Sequence, residues 1–246
     1  MKWSFCICFN ATDYVNQQIA SIVNQKELVS HNYQIVLIGP SSNTIDVILK
    51  ENRDLGVDIC FISFDDSAEN GWITKKKNIS TYMAKYDNLV MMHDYVALCE
   101  NWYSNFVLFG DKWEVCMTPI RSFDGRRFRD WITFKEVWGW PEFLNYNIFD
   151  QTKNMYISGT YWCAKKSYML KNPLNENLRW GQGEDLEWSH RCRMTWDYKM
   201  NVASVVKLLK EKRFKGELDH APHPDTDPNS DNSDIQNSVV QKVKVL

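Results

Sequence analysis

The chain has no apolar run approaching the ~20 residues that a bilayer-spanning helix demands, so no membrane span is expected. Its opening, MKWSFCICFNATDY, is too short for a signal-peptide core plus cleavage site, and it reads better as a first buried strand. A cytoplasmic protein is the expectation. Cys-X-X-Cys pairs are missing, which removes the usual zinc-ligand spacing. The cysteines that are present (Cys6, Cys8, Cys60, Cys99, Cys116, Cys163 and Cys192) are odd in number and scattered, mostly within apolar runs. That is the pattern of buried thiols in a reducing compartment. Charge of one sign is lacking too: a formal net charge of -2 gives no reason to expect DNA or RNA as a partner. Finally, glycine is absent where phosphate loops need it. The segment CFNATDY around the end of the first apolar run contains none, which argues against a nucleotidyltransferase, and no GxGxxG supports a dinucleotide-dependent oxidoreductase.

What is present fits one large α/β domain. With 246 residues, 44% of them hydrophobic and 24% charged, the chain is long and apolar enough to bury a core. Apolar runs at Trp3–Phe9, Tyr33–Ile38, Val57–Ser63 and Asn88–Met92 alternate with helical patterns at Tyr14–Val29, Thr44–Asn52 and Ile73–Ala84. Continuous apolar strands between helices predict a mostly parallel sheet covered on both faces. Ligands gather at the carboxyl ends of such strands, so the polar residues just beyond them are the first candidates for a nucleotide site. Further on, a helix is expected at Glu100–Phe109 and strands at Trp113–Ile120 and Met155–Ala164, with an irregular aromatic-rich loop at Lys135–Lys153 between them. From Gly216 the composition turns polar. We therefore expect a domain over 1–215, with halves at 1–95 and 96–215, and a flexible tail over 216–246.

Several clusters have residue types suited to chemistry. His93-Asp94-Tyr95 ends the fourth strand, and an acid there is costly unless solvated, paired or bound to a cation. It reads either as an oxygen ligand for Mg²⁺ or Mn²⁺ or as the cap of a following helix. Gly181-Gln182-Gly183-Glu184-Asp185 sets two carboxylates at a helix N-terminus, where the dipole favours their ionised forms; it reads as a general base or as an acidic cap. Lys75-Lys76-Lys77 reads as a phosphate grip or as a solvated face. The stretch Asp124–Trp131 interleaves three arginines with aromatics, as an anion grip or a surface ion-pair network, and His220 and His223 are metal ligands or part of the tail. Eleven tryptophans fill a core or stack on sugar rings.

Taken in order, these pieces resemble the GT-A glycosyltransferases, in particular glycosyltransferase family 2. The segment ITKKKNISTYMAKYDNLVMMHDY (73–95) resembles the stretch in which a basic-Asn helix leads to the metal-binding DxD strand. The segment from Ile157 to Arg191 resembles the acceptor-side region, and its RWGQGEDLEW resembles the WGxGED signature of galactosyltransferase-like enzymes. The resemblance implies a GT-A fold and transfer of a sugar from a nucleotide-sugar donor to a hydroxyl acceptor, glycan or other, assisted by Mn²⁺ or Mg²⁺. It further implies that Asp94 meets metal and diphosphate; His93 beside it is a further candidate for the donor site, and His220, read from the sequence itself, a candidate second metal ligand. Asp185 would deprotonate the acceptor, with Glu184 orienting it or binding the acceptor. Asn10, Thr12, Ser41 and Asp65 would contact the nucleoside, and Lys77 the donor. His93 and Tyr95 stand at acidic positions of the motif, leaving one carboxylate. This departure keeps a second reading open, a non-catalytic nucleotide-sugar or glycan-binding module on the same fold.

Overall fold

The computed structural model describes residues 1–67, 71–134, 141–148 and 154–212. The expected tail with His220 and His223, and much of the expected loop at 135–153, lie outside them. The N-terminal half follows the alternation in the sequence: β1 (Trp3–Cys8), α1 (Val15–Val23), β2 (Tyr33–Gly39), α2 (Asn43–Asp54), β3 (Ile59–Ser63), α3 (Ile73–Met83) and β4 (Asn88–His93). Every residue of β1, β2 and β4 is buried, because α3 packs against β1 and β2 on one face while the core aromatics fill space elsewhere. Trp3 sits among Trp102 and Phe106, with ring centroids 5.0 and 4.8 Å away. Fully burying one such large apolar side chain contributes about 2–3 kcal/mol.

The second half consists of β5 (Val96–Leu98), α4 (Trp102–Phe109), β6 (Val115–Met117), β7 (Ile120–Arg121), β8 (Ile132–Phe134), β9 (Pro141–Phe143), β10 (Met155–Tyr156), β11 (Tyr161–Lys165), α5 (Lys166–Lys171), α6 (Glu184–Cys192), β12 (Tyr198–Met200) and β13 (Val206–Leu208). The main sheet runs β12-β6-β11-β4-β1-β2-β3, with two three-stranded sheets, β10-β8-β9 and β5-β13-β7. Strands β4, β1, β2 and β3 run parallel to one another, and β11 enters antiparallel between β4 and β6. The α/β architecture with a mostly parallel central sheet is the one expected. Register sets the ends side by side: Cys8 lies opposite Ile38 and His93, and Gly39 opposite Ser63.

Elements that differ from the expectation do so for local reasons. The helix expected to reach Val29 ends at Val23. Beyond it, Gln25 turns inward, its amide donating to the Cys99 carbonyl at 2.9 Å and its oxygen accepting the Tyr103 N–H at 3.1 Å. The strand expected over Trp113–Ile120 breaks at Thr118-Pro119, where proline offers no N–H to a ladder. The strand expected over Met155–Ala164 breaks at Ser158-Gly159-Thr160, closed by a Tyr161 N–H to Ser158 carbonyl bond of 3.2 Å. Of the tryptophans, Trp3, Trp102, Trp113, Trp131, Trp162 and Trp188 are buried, so those six serve the core. Five of the cysteines are buried thiols, while Cys60 and Cys99 are partly exposed. Among the described residues no helix is long and apolar enough to cross a membrane.

Candidate functional site

The aligned strand ends create one edge on which the first group of predicted residues collects. Asp94, just past β4, reaches across to the loop after β1: its Oδ2 accepts the backbone N–H groups of Asn10 at 3.1 Å and Ala11 at 3.3 Å. It caps no helix, since β5 follows. The turn bearing it is braced from behind by buried Gln18, whose amide donates to the carbonyls of His93 at 2.7 Å and Val96 at 2.8 Å. Ser41, after β2, is exposed and shares a 2.6 Å hydroxyl contact with Ser63 at the end of β3. Asp65 is exposed as well, and its carboxyl is held below the usual range by the Ser67 N–H and hydroxyl. Thr12 is half-buried and closes the start of α1 by accepting the Val15 N–H through its carbonyl.

The three-lysine run is not a solvated face. Lys75 lies over the Trp72 ring, 4.0 Å from its centroid, whereas Lys76 and Lys77 are buried, 1% and 0% exposed. Lys76 Nζ joins two loops, donating to the Asn10 side chain and the Phe9 carbonyl and pairing with Asp66 at 3.0 Å. Removing one partner of a buried pair of this kind costs about 3–5 kcal/mol. Lys77 points elsewhere, to the Gly159 carbonyl at 2.7 Å, with its ammonium 4.4 Å from the centre of the Trp162 ring.

The second group centres on α6. Gly183 sits at φ 76°, the left-handed region glycine enters without steric cost, and this turn starts the helix at Glu184. The preceding segment is fastened to α3: Thr74 donates to the Leu178 carbonyl at 2.8 Å, and Trp180 N–H to the Gly71 carbonyl at 2.8 Å. Asp185 is half-buried; its Oδ2 accepts the Gly159 N–H at 2.9 Å and its Oδ1 the Leu186 N–H at 3.0 Å. Glu184 is buried, and burial pushes its carboxyl above the usual range; Lys77 pulls it down and Asp185 pushes it further up. The interrupted strand between β10 and β11 thus delivers Gly159 to the carboxylate. A Cβ at Gly159 would lie 2.8 Å from Asp185 Oδ2, so space, not backbone angle, requires glycine there.

The two groups meet around β4. His93 is buried, and burial, with Lys77 and Lys212 nearby, pushes its imidazole well below the usual range. Lys212, beyond β13, donates to the Thr160 hydroxyl at 2.6 Å and lies over the rings of Tyr95 and Phe128. Burial, reinforced by Arg129, lowers its pKa to about 8, and Asp185 and Glu184 oppose that shift. Lys210 also lies over the Tyr95 ring, 4.6 Å from its centre. Lysines thus crowd the space beside the carboxylates. Sequence reasoning missed Lys212: the KEK triplet containing it reads as an ordinary charged run. It also missed Gly159 and the inward turn of Lys76.

Other expectations resolve into structure. In the Asp124–Trp131 stretch, Arg127 and Asp130 form a buried pair at 2.7 Å, and Asp130 also accepts the Ile120 and Trp131 N–H groups and the Tyr146 hydroxyl. That pair is a scaffold. Asp124 and Arg126 pair at the surface. Among the described residues no group of three His, Cys, Asp or Glu side chains is arranged to hold a metal.

No family model matches the chain, and no curated protein matches it. Solved structures do. S. aureus TarS 1–349 in complex with UDP-GlcNAc superimposes with a TM-score of 0.59 at 15% identity, over 90% of this chain and 61% of that one. The same TarS fragment without that ligand gives 0.59 at 13% identity, over 85% and 60%. GalNAc-T7 with UDP, GalNAc and Mn²⁺ gives 0.64 at 15% identity, over 87% of this chain and 44% of that one. The chain therefore spans about 60% of the TarS fragment and under half of GalNAc-T7.

Proposed function

The fold is that of the GT-A glycosyltransferases, and we propose that this chain uses it to move a sugar from a nucleotide-sugar donor to an acceptor hydroxyl, with inversion. The observation that supports this most is the placement of Asp185. It stands at a helix N-terminus, aimed by two backbone N–H groups, at the edge where β1 to β4 end. Two hydrogen bonds leave a carboxylate with further lone pairs to accept an acceptor hydroxyl. In this reading Asp185 takes the acceptor proton as the oxygen attacks the anomeric carbon from the face opposite the diphosphate. Glu184 binds the acceptor or orients Asp185. Asn10, Thr12, Ser41 and Asp65 line the nucleoside side, with Asn10 fixed by Lys76.

The leaving diphosphate needs positive charge. Lys212 and Lys210 beside Tyr95 supply it on the described side of the site. Asp94 Oδ1 has no hydrogen bond among the described residues, which suits a cation shared with phosphate oxygens more than one caged by protein alone. Asp94 is the residue proposed to hold Mn²⁺ or Mg²⁺, with His220 beyond the described residues as its partner. Such an ion, when bound, neutralises the departing diphosphate. The single carboxylate of His93-Asp94-Tyr95 is also what favours the second reading, a binding module.

The test is a donor panel of UDP-, GDP-, CMP- and dTDP-sugars, with and without Mn²⁺, scored by nucleotide release and by thermal shift. Slow release from one donor, abolished by Asp94→Ala, supports the enzyme. Silence in both readouts sinks the donor site, and a shift without release under a broad set of acceptors assigns a binding module.

A further inference from the structure

Lys77 has no carboxylate at ion-pair distance among the described residues, yet its side chain is fully buried. Charged groups are seldom buried without a task, because losing water costs several kcal/mol per ion. Its ammonium is spent on one carbonyl, that of Gly159, and on the face of Trp162. Gly159 in turn gives its N–H to Asp185. The carbonyl and the N–H flank a single Cα that carries no side chain, so a residue with unusual backbone freedom is pinned on both sides. The resemblance assigned Lys77 to the donor; its Nζ lies against Gly159, the residue whose N–H holds Asp185.

We infer that Lys77 is a positioning residue for Asp185: by holding the Gly159 carbonyl it fixes the N–H that aims the carboxylate. This rests on the role proposed above for Asp185 as base. The groups facing Asp185 are Glu184 on its own helix, Lys77 from α3, Tyr156 from β10 and Lys212 beyond β13, with Arg129 beside the last two. Lys77 differs from Lys212 in touching the main chain that holds Asp185. A misplacement of about 1 Å in a reacting group costs on the order of 100-fold in rate. Lys77 therefore acts on turnover and leaves donor affinity alone.

A double-mutant cycle on the full-length chain decides it, with carboxyl-carbon NMR of Asp185 as a readout that needs no turnover. Lys77→Met is expected to lower kcat by about 100-fold with the Kd for the preferred nucleotide unchanged. In an Asp185→Asn background the same change should cost less than about 3-fold, because neighbours that act as a unit are not additive. Lys77→Arg, which keeps the charge and the donor, should recover most of the loss. The Asp185 carboxyl-carbon resonance should move in Lys77→Met, because the Gly159 N–H that the carboxylate accepts is no longer fixed. Should Lys77→Met fail to fold, Lys77→Gln takes its place. Additive losses overturn the inference, as does a fall in donor affinity that matches the fall in kcat, or an Asp185 carboxyl-carbon resonance that does not move. A wild type inactive with every donor fails the transferase reading instead, and the NMR comparison still decides whether Lys77 governs Asp185.

Discussion

Gly159 donates its N–H to Asp185 Oδ2 at 2.9 Å, and a single methyl group on Gly159 would lie 2.8 Å from that same oxygen. Gly159→Ala keeps the donor but forces the carboxylate aside. We expect kcat to fall by about 10- to 100-fold with donor Kd unchanged, measured by steady-state transfer and calorimetric titration of the nucleotide. Unaltered turnover would mean that Asp185 need not be held where it is.

Asp185→Asn keeps the shape and removes the proposed base. General-base catalysis contributes about 10²–10⁴-fold, so transfer should drop by that much while UDP or its equivalent still binds. Retained activity would move the base elsewhere.

Asp94 holds the loop after β1, and its proposed second duty, offering charge to a cation, is separable from the first. Asp94→Asn keeps an acceptor for the Asn10 and Ala11 N–H groups. Its melting temperature should stay within ~2 °C of wild type, since a surface change of this kind stays within about 0.5 kcal/mol. Donor binding should meanwhile lose its dependence on Mn²⁺. Asp94→Ala should lose both. Chelator titrations of donor affinity on the two variants test this, and a metal dependence that survives Asp94→Asn refutes the assignment.

Lys212 gives a pH dependence with a defined sign. Its folded pKa is lowered to about 8 from an ordinary 10.5, so it loses its proton as pH rises through about 8. Donor affinity should weaken above that point and flatten in Lys212→Met. On stability the sign is opposite: between about 8 and 10.5 the unfolded chain binds more protons at this residue, so its contribution improves as pH rises through that window. Nucleotide titrations from pH 6.5 to 9.5, roughly bracketing that pKa, check the first point and urea melts the second.

Gly39 is a purely structural counterpart. Its Cβ would fall 2.4 Å from the Phe9 carbonyl oxygen, against main chain that cannot swing away. Gly39→Ala should cost about 1–3 kcal/mol or more in urea-melt stability. A neutral result would show that the end of β2 can slide relative to β1.

The N-terminal half was legible because β1, β2 and β4 are buried along their whole length and read as plain apolar runs. The acidic pair at 184–185 was legible because glycines mark the turn before it. Lys76 and Lys77 were not. A helix that buries Thr74, Lys76, Lys77, Ser80 and Thr81 hides its inner face from any hydrophobic pattern. Gly159 was hidden inside an apolar run that reads as one strand, although the SGT triplet that breaks it is a turn signal. Lys212 comes to Tyr95 only because β13 pairs with β5 and β7, a long-range pairing that local spacing does not encode.

Both bonds that aim Asp185 come from main-chain N–H groups, of Gly159 and Leu186. Among the described residues no side chain donates a hydrogen bond to keep that carboxylate in place. If Asp185 is the base proposed above, substitutions among the side chains around it can exchange one acceptor for another while the carboxylate stays put, which makes the scaffold an accommodating starting point for selecting new acceptor preferences in the laboratory.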